Sequence, residues 1–301
     1  MKGASGPLAL RELTLESPAK LNLCLAITGA RPDGFHNLVS LVAPVDWGDT
    51  LNVAAANEFS LQSTDPTLPV DGSNLVLKAA FAFRDATGFR GGAAFHLTKR
   101  IPVGAGLGGG SSNAAAALVA LNQLSNCNLP LAQLAVVAAE VGSDCPLFLH
   151  QGPVVMRGRG DVIEPLGERE AGAVSGRSVV IFKPGFGVST PWAFARLRAG
   201  APASYMHADE AEARLSRWTG DPVALESLLF NSMEGPVFKK FPAMPALLEQ
   251  LRAKFGLQGR MSGSGSACFA LLPDHAPVDE ISATIRAAWG ESALVLQTRL
   301  A

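Results

Sequence analysis

The stretch that decides the fold of this chain is Pro102-Val103-Gly104-Ala105-Gly106-Leu107-Gly108-Gly109-Gly110-Ser111-Ser112-Asn113. Five of the seven positions from 104 to 110 are glycine, which permits positive φ angles and lets successive backbone N–H groups converge on an anion. A helix is predicted after Ser111, and its N-terminus directs unpaired N–H groups and a positive dipole end at the same point. Ser111 and Ser112 are expected to cap this helix, and a hydroxyl could also meet phosphate or a magnesium ion. The stretch therefore predicts a phosphate site; a flexible linker, the alternative, would not normally abut a strongly periodic helix.

A dinucleotide-binding loop is the first alternative for this stretch. Gly104, Gly106 and Gly109 match Gly-x-Gly-x-x-Gly literally. That motif needs a buried strand just before it and an acidic residue about 20 positions later. Here residues 99–102 read Lys-Arg-Ile-Pro, and residues 127–133 contain no acid. The dinucleotide fold is therefore disfavoured, although it stays open as an alternative from a different functional class.

Two other nucleotide-binding patterns are excluded by the residues themselves. A P-loop requires Gly-Lys-Ser or Gly-Lys-Thr, but Gly110 is followed by Ser111 and no lysine. The His-Arg-Asp and Asp-Phe-Gly motifs of protein kinases are also absent from the sequence. The glycine stretch must therefore belong to another type of phosphate-binding loop.

Composition and charge narrow the class of protein further. The chain has 301 residues, 48% of them hydrophobic, with a formal net charge of −1, which excludes disorder and supplies no basic surplus for nucleic acid. Its length suggests about two domains at roughly 150 residues each. No apolar run reaches about 18 residues, so no membrane span is predicted. Residues 1–19 contain Arg11, Glu12 and Glu16 and form a poor signal peptide.

Cysteine and histidine positions give expectations about redox compartment and metals. The cysteines, Cys24, Cys127, Cys145 and Cys268, lie far apart without a Cys-x-x-Cys pair. We therefore expect free thiols and a reducing cytoplasm. The histidines lack the His-Glu-x-x-His spacing, so no zinc site is predicted.

Periodicity and turn residues predict strands and helices in irregular order, which indicates the α+β class. In the first half we predict strands over 13–28, interrupted at Pro18, 49–55 and 93–97, and helices over 74–87, after Ser111 and over 131–141. In the second half we predict strands over 178–183 and 267–272 and helices near 191–199, 207–217, 223–230 and 244–255. The polar segment 164–177 favours a junction, so we predict an N-terminal domain over 1–162, which carries the glycine loop, and a C-terminal domain over 163–301.

The glycine stretch resembles the central motif of the GHMP kinase superfamily, Pro-x-x-x-Gly-Leu-Gly-Ser-Ser-Ala, in a long form with extra glycines. Further blocks of the chain resemble family motifs in the same order: Ser17–Leu23 (SPAKLNL), Arg31–Leu38 (RPDGFHNL), Gly142–Phe148 (GSDCPLF) and Met261–Phe269 (MSGSGSACF). The matches run from residue 17 to 272, nearly the whole chain. The resemblance implies a two-domain α+β GHMP kinase fold, with a left-handed βαβ crossover in the N-terminal domain and a ferredoxin-like C-terminal domain.

The resemblance also implies an activity. Within the superfamily, the long glycine motif is similar to that of the branch that uses ATP and Mg²⁺ to phosphorylate the 2-hydroxyl of 4-diphosphocytidyl-2-C-methyl-D-erythritol, a step in the non-mevalonate route to isoprenoid precursors. The Arg31–Leu38 loop argues against a homoserine or mevalonate kinase, because a small acid needs no base-stacking pocket. Such a kinase would be cytoplasmic, would act on a small molecule rather than on nucleic acid or membrane, and is expected to be a monomer or a weak homodimer.

Two catalytic residues are implied by motif position. Asp144 matches the presumed catalytic base, and Lys20 matches the lysine that contacts the reacting hydroxyl and the aspartate. A cation beside Asp144 would favour its ionised form at neutral pH. Without the family, Asp144 would be interpreted as a helix cap and Lys20 as a solvated strand residue.

The remaining site residues are also carried over by position. ATP is expected to contact Pro102, Val103, Gly104, Ala105, Gly106, Leu107, Gly108, Gly109, Gly110, Ser111 and Ser112, together with Asn74 near adenine and Lys99 near the nucleotide. The cytidylated substrate is expected to contact Asn22, Phe35, His36, Phe194, Gly263 and Gly265. Phe35 replaces the tyrosine more usual in its loop, so it can stack on a base but lacks the hydroxyl. Without the family, His36 would be a surface residue, Phe194 a core residue and the glycine pair a hairpin turn. Ser111 is the one candidate protein ligand for the metal.

Overall fold

The computed structural model describes residues 12–222 and 224–301. Within these ranges the strands are β1 (Glu12–Ala30), β2 (His36–Ala56), β3 (Ser60–Ser63), β4 (Gly92–Thr98), β5 (Val154–Arg157), β6 (Val162–Pro165), β7 (Ser178–Lys183), β8 (Phe230–Asn231), β9 (Arg260–Met261), β10 (Cys268–Leu271) and β11 (Leu294–Arg299). The helices are α1 (Leu75–Thr87), α2 (Gly109–Leu124), α3 (Leu131–Val141), α4 (Glu168–Val174), α5 (Thr190–Ala199), α6 (Ala208–Gly220), α7 (Glu234–Lys240), α8 (Ala243–Phe255) and α9 (Val278–Trp289). Short 3₁₀ turns occupy Pro146–Leu149 and Leu225–Leu228.

The first of two compact units contains residues 12–18, Gly48–Arg100 and Gly109–Leu149. In it β4 pairs antiparallel with the second half of β2 and parallel with β3. Since α1 connects β3 to β4, these three elements form a parallel βαβ crossover. Buried alanines such as Ala79 in α1 and Ala117 in α2 belong to the core of this unit, and their small side chains allow helices to pack closely.

The second unit contains Ala19–Trp47, Ile101–Gly108 and His150–Ala301. One of its sheets has the order β11-β7-β10-β9, and all of its pairings are antiparallel. With α8 between β7 and β9, and α9 between β10 and β11, the chain follows a β-α-β-β-α-β path, which is the ferredoxin-like arrangement. Phe182, Met261 and Ile285 are fully buried in the core of this part.

The rest of the second unit is built on the other halves of the two long strands. Residues 19–30 of β1 pair with β8 through Cys24 and Leu25, and the first half of β2 pairs with the β5–β6 hairpin. Their buried side chains form one core with those of the loop residues Ile101, Ala105 and Leu107. The start of the glycine stretch is therefore anchored by its own apolar side chains.

Several predicted elements are confirmed closely. Helix α1 has Asn74 as its N-cap, and Gly88 ends it in the left-handed conformation. Strand β7 has the predicted bounds, and α3, α5 and α8 agree within one residue. The four cysteines are free thiols, of which Cys127 is exposed.

The predicted break at Pro18 is wrong, because β1 is continuous from Glu12 to Ala30. Gly48 in β2 explains how the strand stays extended here. A Cβ at Gly48 would overlap the Ser17 carbonyl oxygen and lie 2.6 Å from the Pro18 Cα. The glycine thus lets the two backbones approach closely and supports the strand through its proline.

The prediction that Ser111 and Ser112 cap α2 is also wrong. The helix begins at Gly109, so both serines lie inside its first turn. Glycine has a low helix propensity, which hid the true start. The helix predicted over 223–230 is in its described part only a 3₁₀ turn followed by β8, and residue 223 lies outside the described residues.

Candidate active site

The first half of the glycine stretch has alternating left-handed residues, since Gly104, Gly106 and Gly108 have φ angles of 65°, 77° and 72°. Side chains rarely adopt such angles. At Gly106 space is also lacking, because a Cβ would overlap the Ser262 carbonyl oxygen and lie 2.9 Å from the Gly265 nitrogen. Position 106 therefore requires glycine for two separate reasons.

Three consecutive carbonyl groups of this loop accept hydrogen bonds from other residues of the second unit, to which residues 101–108 belong. The Ala105 oxygen accepts from the Ala267 N–H at 3.0 Å, and the Leu107 oxygen accepts from the Lys20 N–H at 3.0 Å. Between them, the Gly106 oxygen accepts from Ser262 Oγ at 3.1 Å. These bonds fix successive peptide planes and so preorganise the loop.

The third family motif forms a second glycine turn beside the first. Gly263 and Gly265 have φ angles of 55° and 81°. A Cβ at Gly263 would lie 3.2 Å from the Gly106 oxygen and 3.3 Å from Lys20 Nζ. Buried Asn231 holds this turn, donating from Nδ2 to the carbonyl oxygens of Met261 at 2.6 Å and Gly263 at 2.8 Å. Sequence reasoning missed Asn231, which lies about 30 residues upstream and carries no motif signal of its own.

Lys20 is a buried residue with 4% exposure, so its interpretation as a solvated strand lysine is wrong. Its Nζ donates to Asn22 Oδ1, and the two side chains share one face of β1. Asn22 Nδ2 donates to Ser40 Oγ at 3.0 Å, and Ser40 Oγ donates to the Cys24 carbonyl oxygen at 2.6 Å. This hydrogen-bond chain orients the ammonium group, so Lys20 has the fixed placement that a catalytic role requires.

Asp144 lies in a turn of the first unit, between α3 and the 3₁₀ turn at Pro146. The turn is closed by a 3.0 Å hydrogen bond from the Cys145 N–H to the Gly142 oxygen. The Cys145 side chain is hydrogen-bonded to Ser111 in the first turn of α2. Burial raises the pKa of the Cys145 thiol to about 11, so it remains protonated. Asp144 is thus held next to the residue that contacts the helix N-terminus.

Asn74 and Lys99 both have structural partners in the first unit. Asn74 Oδ1 accepts from the Val76 N–H at 3.0 Å, and its Nδ2 donates to the Pro69 oxygen at 2.8 Å. Lys99 Nζ forms an ion pair with buried Asp49. Their predicted contacts with ATP stay predictions, and these side chains already have defined roles in the fold.

Of the residues predicted to bind cytidine, His36 is 6% exposed and therefore no surface residue. Its ring lies 4.9 Å from that of Phe194 and 5.8 Å from that of Tyr205, centroid to centroid. Neither His36 Nε2 nor the Tyr205 hydroxyl has a hydrogen-bond partner within the described part of the chain. Buried polar atoms are rarely left unpaired, so this pair of atoms is suited to a polar ligand.

Electrostatics keep the His36 imidazole neutral. Burial, and secondarily the Arg198 guanidinium, lower its pKa below the ordinary value of 6.5. Arg198 Nη2 also donates to the Gly34 carbonyl oxygen at 2.9 Å and holds the turn before His36. A neutral ring offers one donor and one acceptor nitrogen, as reading of a base edge requires.

Phe35 points outward and is 45% exposed. The guanidinium of Arg159 lies 5.2 Å from the centre of its ring, within cation–π range. Phe194, in contrast, packs partly buried in α5 against His36. The two predicted stacking residues thus differ: one ring is available at the surface, and the other supports the histidine.

A side-chain metal site is not evident in the part of the chain that the structure describes. No group of three or more His, Cys, Asp or Glu side chains there could hold a metal ion. Within the same residues, no helix has the length and apolar character needed to span a membrane.

Comparisons with known proteins agree with the geometry. The model of the GHMP kinases N-terminal domain matches residues 74–152, and that of the GHMP kinases C-terminal domain matches residues 209–291. Over 273 residues the chain is 38% identical to the 4-diphosphocytidyl-2-C-methyl-D-erythritol kinase of Chlorobium chlorochromatii, covering 89% of this chain and 92% of that protein.

Solved structures give the same result. A crystal structure of 4-(cytidine 5'-diphospho)-2C-methyl-D-erythritol kinase is 34% identical with a TM-score of 0.75, covering 96% of this chain and 100% of that one. Homoserine kinase from Cytophaga hutchinsonii also has a TM-score of 0.75, but at 18% identity, covering 99% and 98% of the two chains. The second match shows only that the fold is shared.

Proposed function

Because the chain belongs to the GHMP kinases, we propose that it transfers the γ-phosphate of ATP to the 2-hydroxyl of 4-diphosphocytidyl-2-C-methyl-D-erythritol. The observation that carries the choice of substrate is the buried, neutral His36, which lies beside the rings of Phe194 and Tyr205 and whose Nε2 has no hydrogen-bond partner among the described residues. A homoserine or mevalonate site would have no use for such a base-reading group. The relatives at 34–38% identity, which carry the name of this kinase, support the same choice.

The glycine stretch would hold the phosphates of ATP. Its left-handed glycines remove side chains from the approach, and α2 contributes the N–H groups of its first turn. Phosphoryl transfer depends mainly on positioning and charge stabilisation, for which a preorganised loop is suited. By the family resemblance, Asn74 and Lys99 would lie near the nucleotide.

Asp144 and Lys20 would act on the hydroxyl of the acceptor. Asp144 accepts the hydroxyl proton as the hydroxyl oxygen attacks the γ-phosphorus of ATP. The bond between the γ-phosphorus and the bridging oxygen breaks, and that oxygen stays on the β-phosphate of ADP. Lys20 contributes a positive charge that favours the developing alkoxide. Its link to Asn22 and Ser40 holds that charge in place.

Mg²⁺ would be bound mainly by the ATP phosphates. The described residues offer no cluster of three ligating side chains, whereas Mg²⁺ in kinases is commonly held by one or two protein oxygens together with phosphates. Ser111 is the candidate hydroxyl ligand. The ion would neutralise phosphate charge during transfer.

The cytidine end of the substrate would lie between an exposed and a partly buried aromatic residue. Phe35 is available for stacking, Phe194 supports His36, and Asn22, the third predicted contact, accepts a hydrogen bond from Lys20. Gly263 and Gly265 would let the backbone approach the bound substrate. We further propose a cytoplasmic protein, as a monomer or weak homodimer, with an N-terminal domain over 1–162 and a C-terminal domain over 163–301; the family matches fall on either side of residue 162.

An ADP-release assay with a panel of alcohols tests this function. We expect turnover with the cytidylated erythritol and none with homoserine or mevalonate. Turnover with homoserine or mevalonate alone would favour another GHMP kinase. Calorimetric titration with ATP and NAD separately tests the dinucleotide alternative, since binding of NAD without ATP would contradict the proposal.

The role of Asp144 is tested by the Asp144→Ala enzyme. Loss of a general base should lower kcat about 100-fold or more, with smaller effects on both KM values. Asp85→Asn, at an exposed position on α1, is the matched control and should retain normal turnover. Near-normal kcat of the Asp144→Ala enzyme at saturating ATP and acceptor would disprove the assignment.

A further inference from the structure

Asp49 is a fully buried carboxylate for which the proposed mechanism has no role. It lies in β2, within the first unit, and its oxygens accept hydrogen bonds from Arg100, Lys99 and Asn113. Oδ1 accepts from the Arg100 backbone N–H at 2.6 Å. Oδ2 accepts from Lys99 Nζ and from Asn113 Nδ2, the latter at 2.9 Å. A buried charge is tolerated only when it is paired and hydrogen-bonded. The chain segments around Asp49 must therefore keep these contacts in the folded protein.

These donors have a particular position in the sequence. Lys99 and Arg100 immediately precede residues 101–112, which we call the phosphate loop, and Asn113 immediately follows them. One carboxylate therefore joins the residue before the loop to the residue after it. This is the arrangement expected of a group that fixes the separation of the loop's ends.

Further buried hydrogen bonds extend this link into the first turn of α2. Asn113 Nδ2 also donates to Ser17 Oγ at 2.7 Å, and Ser17 Oγ donates to Ser112 Oγ at 2.8 Å. Ser17, Ser112 and Asn113 are all buried. The network thus reaches from β1 and β2 to the helix end that would face phosphate.

Lys99 has one charged group and already uses it here. To reach a nucleotide, its ammonium would have to leave Asp49 and so deprive a buried carboxylate of its cation. That separation is costly, because removal of one partner of a buried pair leaves an uncompensated charge.

We propose that Asp49 is a positioning residue for ATP: it fixes both ends of the phosphate loop, and Lys99 acts through Asp49 rather than on the nucleotide. The inference rests on the proposed function, in which this loop binds ATP. We call Asp49 with Lys99, Arg100 and Asn113 the clamp. Because the clamp fixes both ends of the loop, the loop loses less conformational freedom when phosphate binds, so the clamp should increase the affinity for ATP. The acceptor alcohol should be little affected.

Asp49→Asn, Lys99→Met and the double variant test this inference. The asparagine retains an acceptor for Arg100 but presents an NH₂ group to the other donors. We expect each single change to raise the KM for ATP about tenfold, as for loss of a buried charged partner, with the KM for the acceptor within about twofold. The double variant should lie closer to wild type than either single variant, because no unpaired charge remains.

Direct contact between Lys99 and ATP predicts a different pattern. Lys99→Met would then raise the KM for ATP, and addition of Asp49→Asn would give no recovery. That result would overturn the inference. A purely structural role would instead lower the melting temperature and active fraction without a selective change in the KM for ATP, which would overturn it too.

Two further proteins complete the experiment. Asn113→Ala keeps the ion pair and removes one loop-end contact, so it decides the matter if Asp49→Asn does not fold; an unchanged KM for ATP in this variant would contradict the clamp. Glu249→Gln removes an exposed ion pair on α8 and should behave as wild type.

Calorimetry with ATP distinguishes failure of the proposed function from failure of the clamp. Absence of ATP binding to the wild type would overturn the function and the clamp together, whereas normal wild-type turnover with unaffected variants would overturn the clamp alone.

Discussion

Gly106 and Lys20 illustrate how single residues define this site. Gly106 adopts a left-handed conformation and touches the backbone of the second glycine turn, so both its torsion angle and its lack of a side chain matter. Lys20 is buried on β1, and the hydrogen-bond chain through Asn22 and Ser40 fixes its ammonium group. At this scale, the proposed site relies on backbone geometry as much as on side-chain chemistry.

Substitution of two loop glycines separates torsional strain from overlap. A Cβ at Gly104 meets nothing within 4 Å, so Gly104→Ala should cost only the left-handed strain of about 1–2 kcal/mol. Gly106→Ala adds overlap with the Ser262 carbonyl oxygen. We expect the larger loss of unfolding free energy and of kcat/KM for Gly106→Ala, measured by denaturant unfolding and steady-state kinetics. Equal losses in the two variants would contradict the close approach of the loops.

The protonation of His36 predicts a pH dependence. Because its pKa is lowered below 6.5, the imidazole stays neutral from pH 8 down to about that value. The KM for the cytidylated acceptor should therefore be flat over this range and rise only at lower pH, as protonation removes the acceptor nitrogen. His36→Gln should lack that acidic rise. A rise in wild-type KM that begins above pH 7 would show a raised pKa and contradict this environment.

The lowered pKa of His36 also makes the free energy of unfolding depend on pH. An unfolded His36 binds a proton near pH 6.5, whereas the folded residue does so only at lower pH. The unfolded state therefore binds more protons between these values, and His36 disfavours folding as the pH falls below about 6.5.

At the scale of elements, glycine turns are placed by residues in other strands. Asn231 of β8 holds the turn that contains Gly263 through two carbonyl groups. Asp49 of β2 joins the residues that flank the phosphate loop. In both cases a buried polar side chain supports a segment whose own residues carry few side chains.

Removal of the Asn231 side chain should loosen the second glycine turn. Asn231→Ala leaves two buried carbonyl oxygens without their donor, at a cost of about 1–3 kcal/mol for each unsatisfied group. We expect a lower melting temperature and reduced kcat/KM. Asn57→Ala, at an exposed position, is the control and should change neither. If the Asn231→Ala protein were as stable as the wild type, these two hydrogen bonds would contribute nothing to the stability of the fold.

The predicted elements have strong local signals, whereas the first half of β2 lacks one and α9 was overlooked despite one. Helix α1 has both caps, Asn74 and Gly88, and was predicted almost to the residue. The first half of β2 is an apolar run that contains Pro44 and is buried on both faces, so it lacks the alternation typical of a half-buried strand. Helix α9 does carry a usable signal in its buried Ile281 and Ile285, spaced i and i+4.

The site was predictable to the extent that its residues lie in motifs. Lys20, His36 and the glycines were found through their order in the sequence. Asn231, Asp49 and Tyr205 were missed because their contribution comes from contacts with residues distant in the chain. No local pattern distinguishes such residues from ordinary structural ones.

For the molecule as a whole, the near-neutral charge fits a kinase that binds phosphate mostly through backbone. The formal net charge is −1, and glycine is concentrated where backbone would meet ligand, at 104–110 and 263–265. Ala105 and Leu107 of the first segment lie in the core shared with β1 and β2, and Met261, next to the second segment, lies in the core of the ferredoxin-like part. Neither charge nor fold specifies the acceptor, for which we propose the surroundings of His36 as the determinant.

The most direct test of the central claim is ³¹P NMR of the purified protein with MgATP and 4-diphosphocytidyl-2-C-methyl-D-erythritol. We predict equal formation of ADP and of a new phosphomonoester on the 2-hydroxyl, with the two diphosphate signals of the acceptor retained. The same mixture with homoserine in place of the acceptor should give no phosphomonoester. ADP formation without the new ester, or a phosphomonoester with homoserine only, would contradict the account.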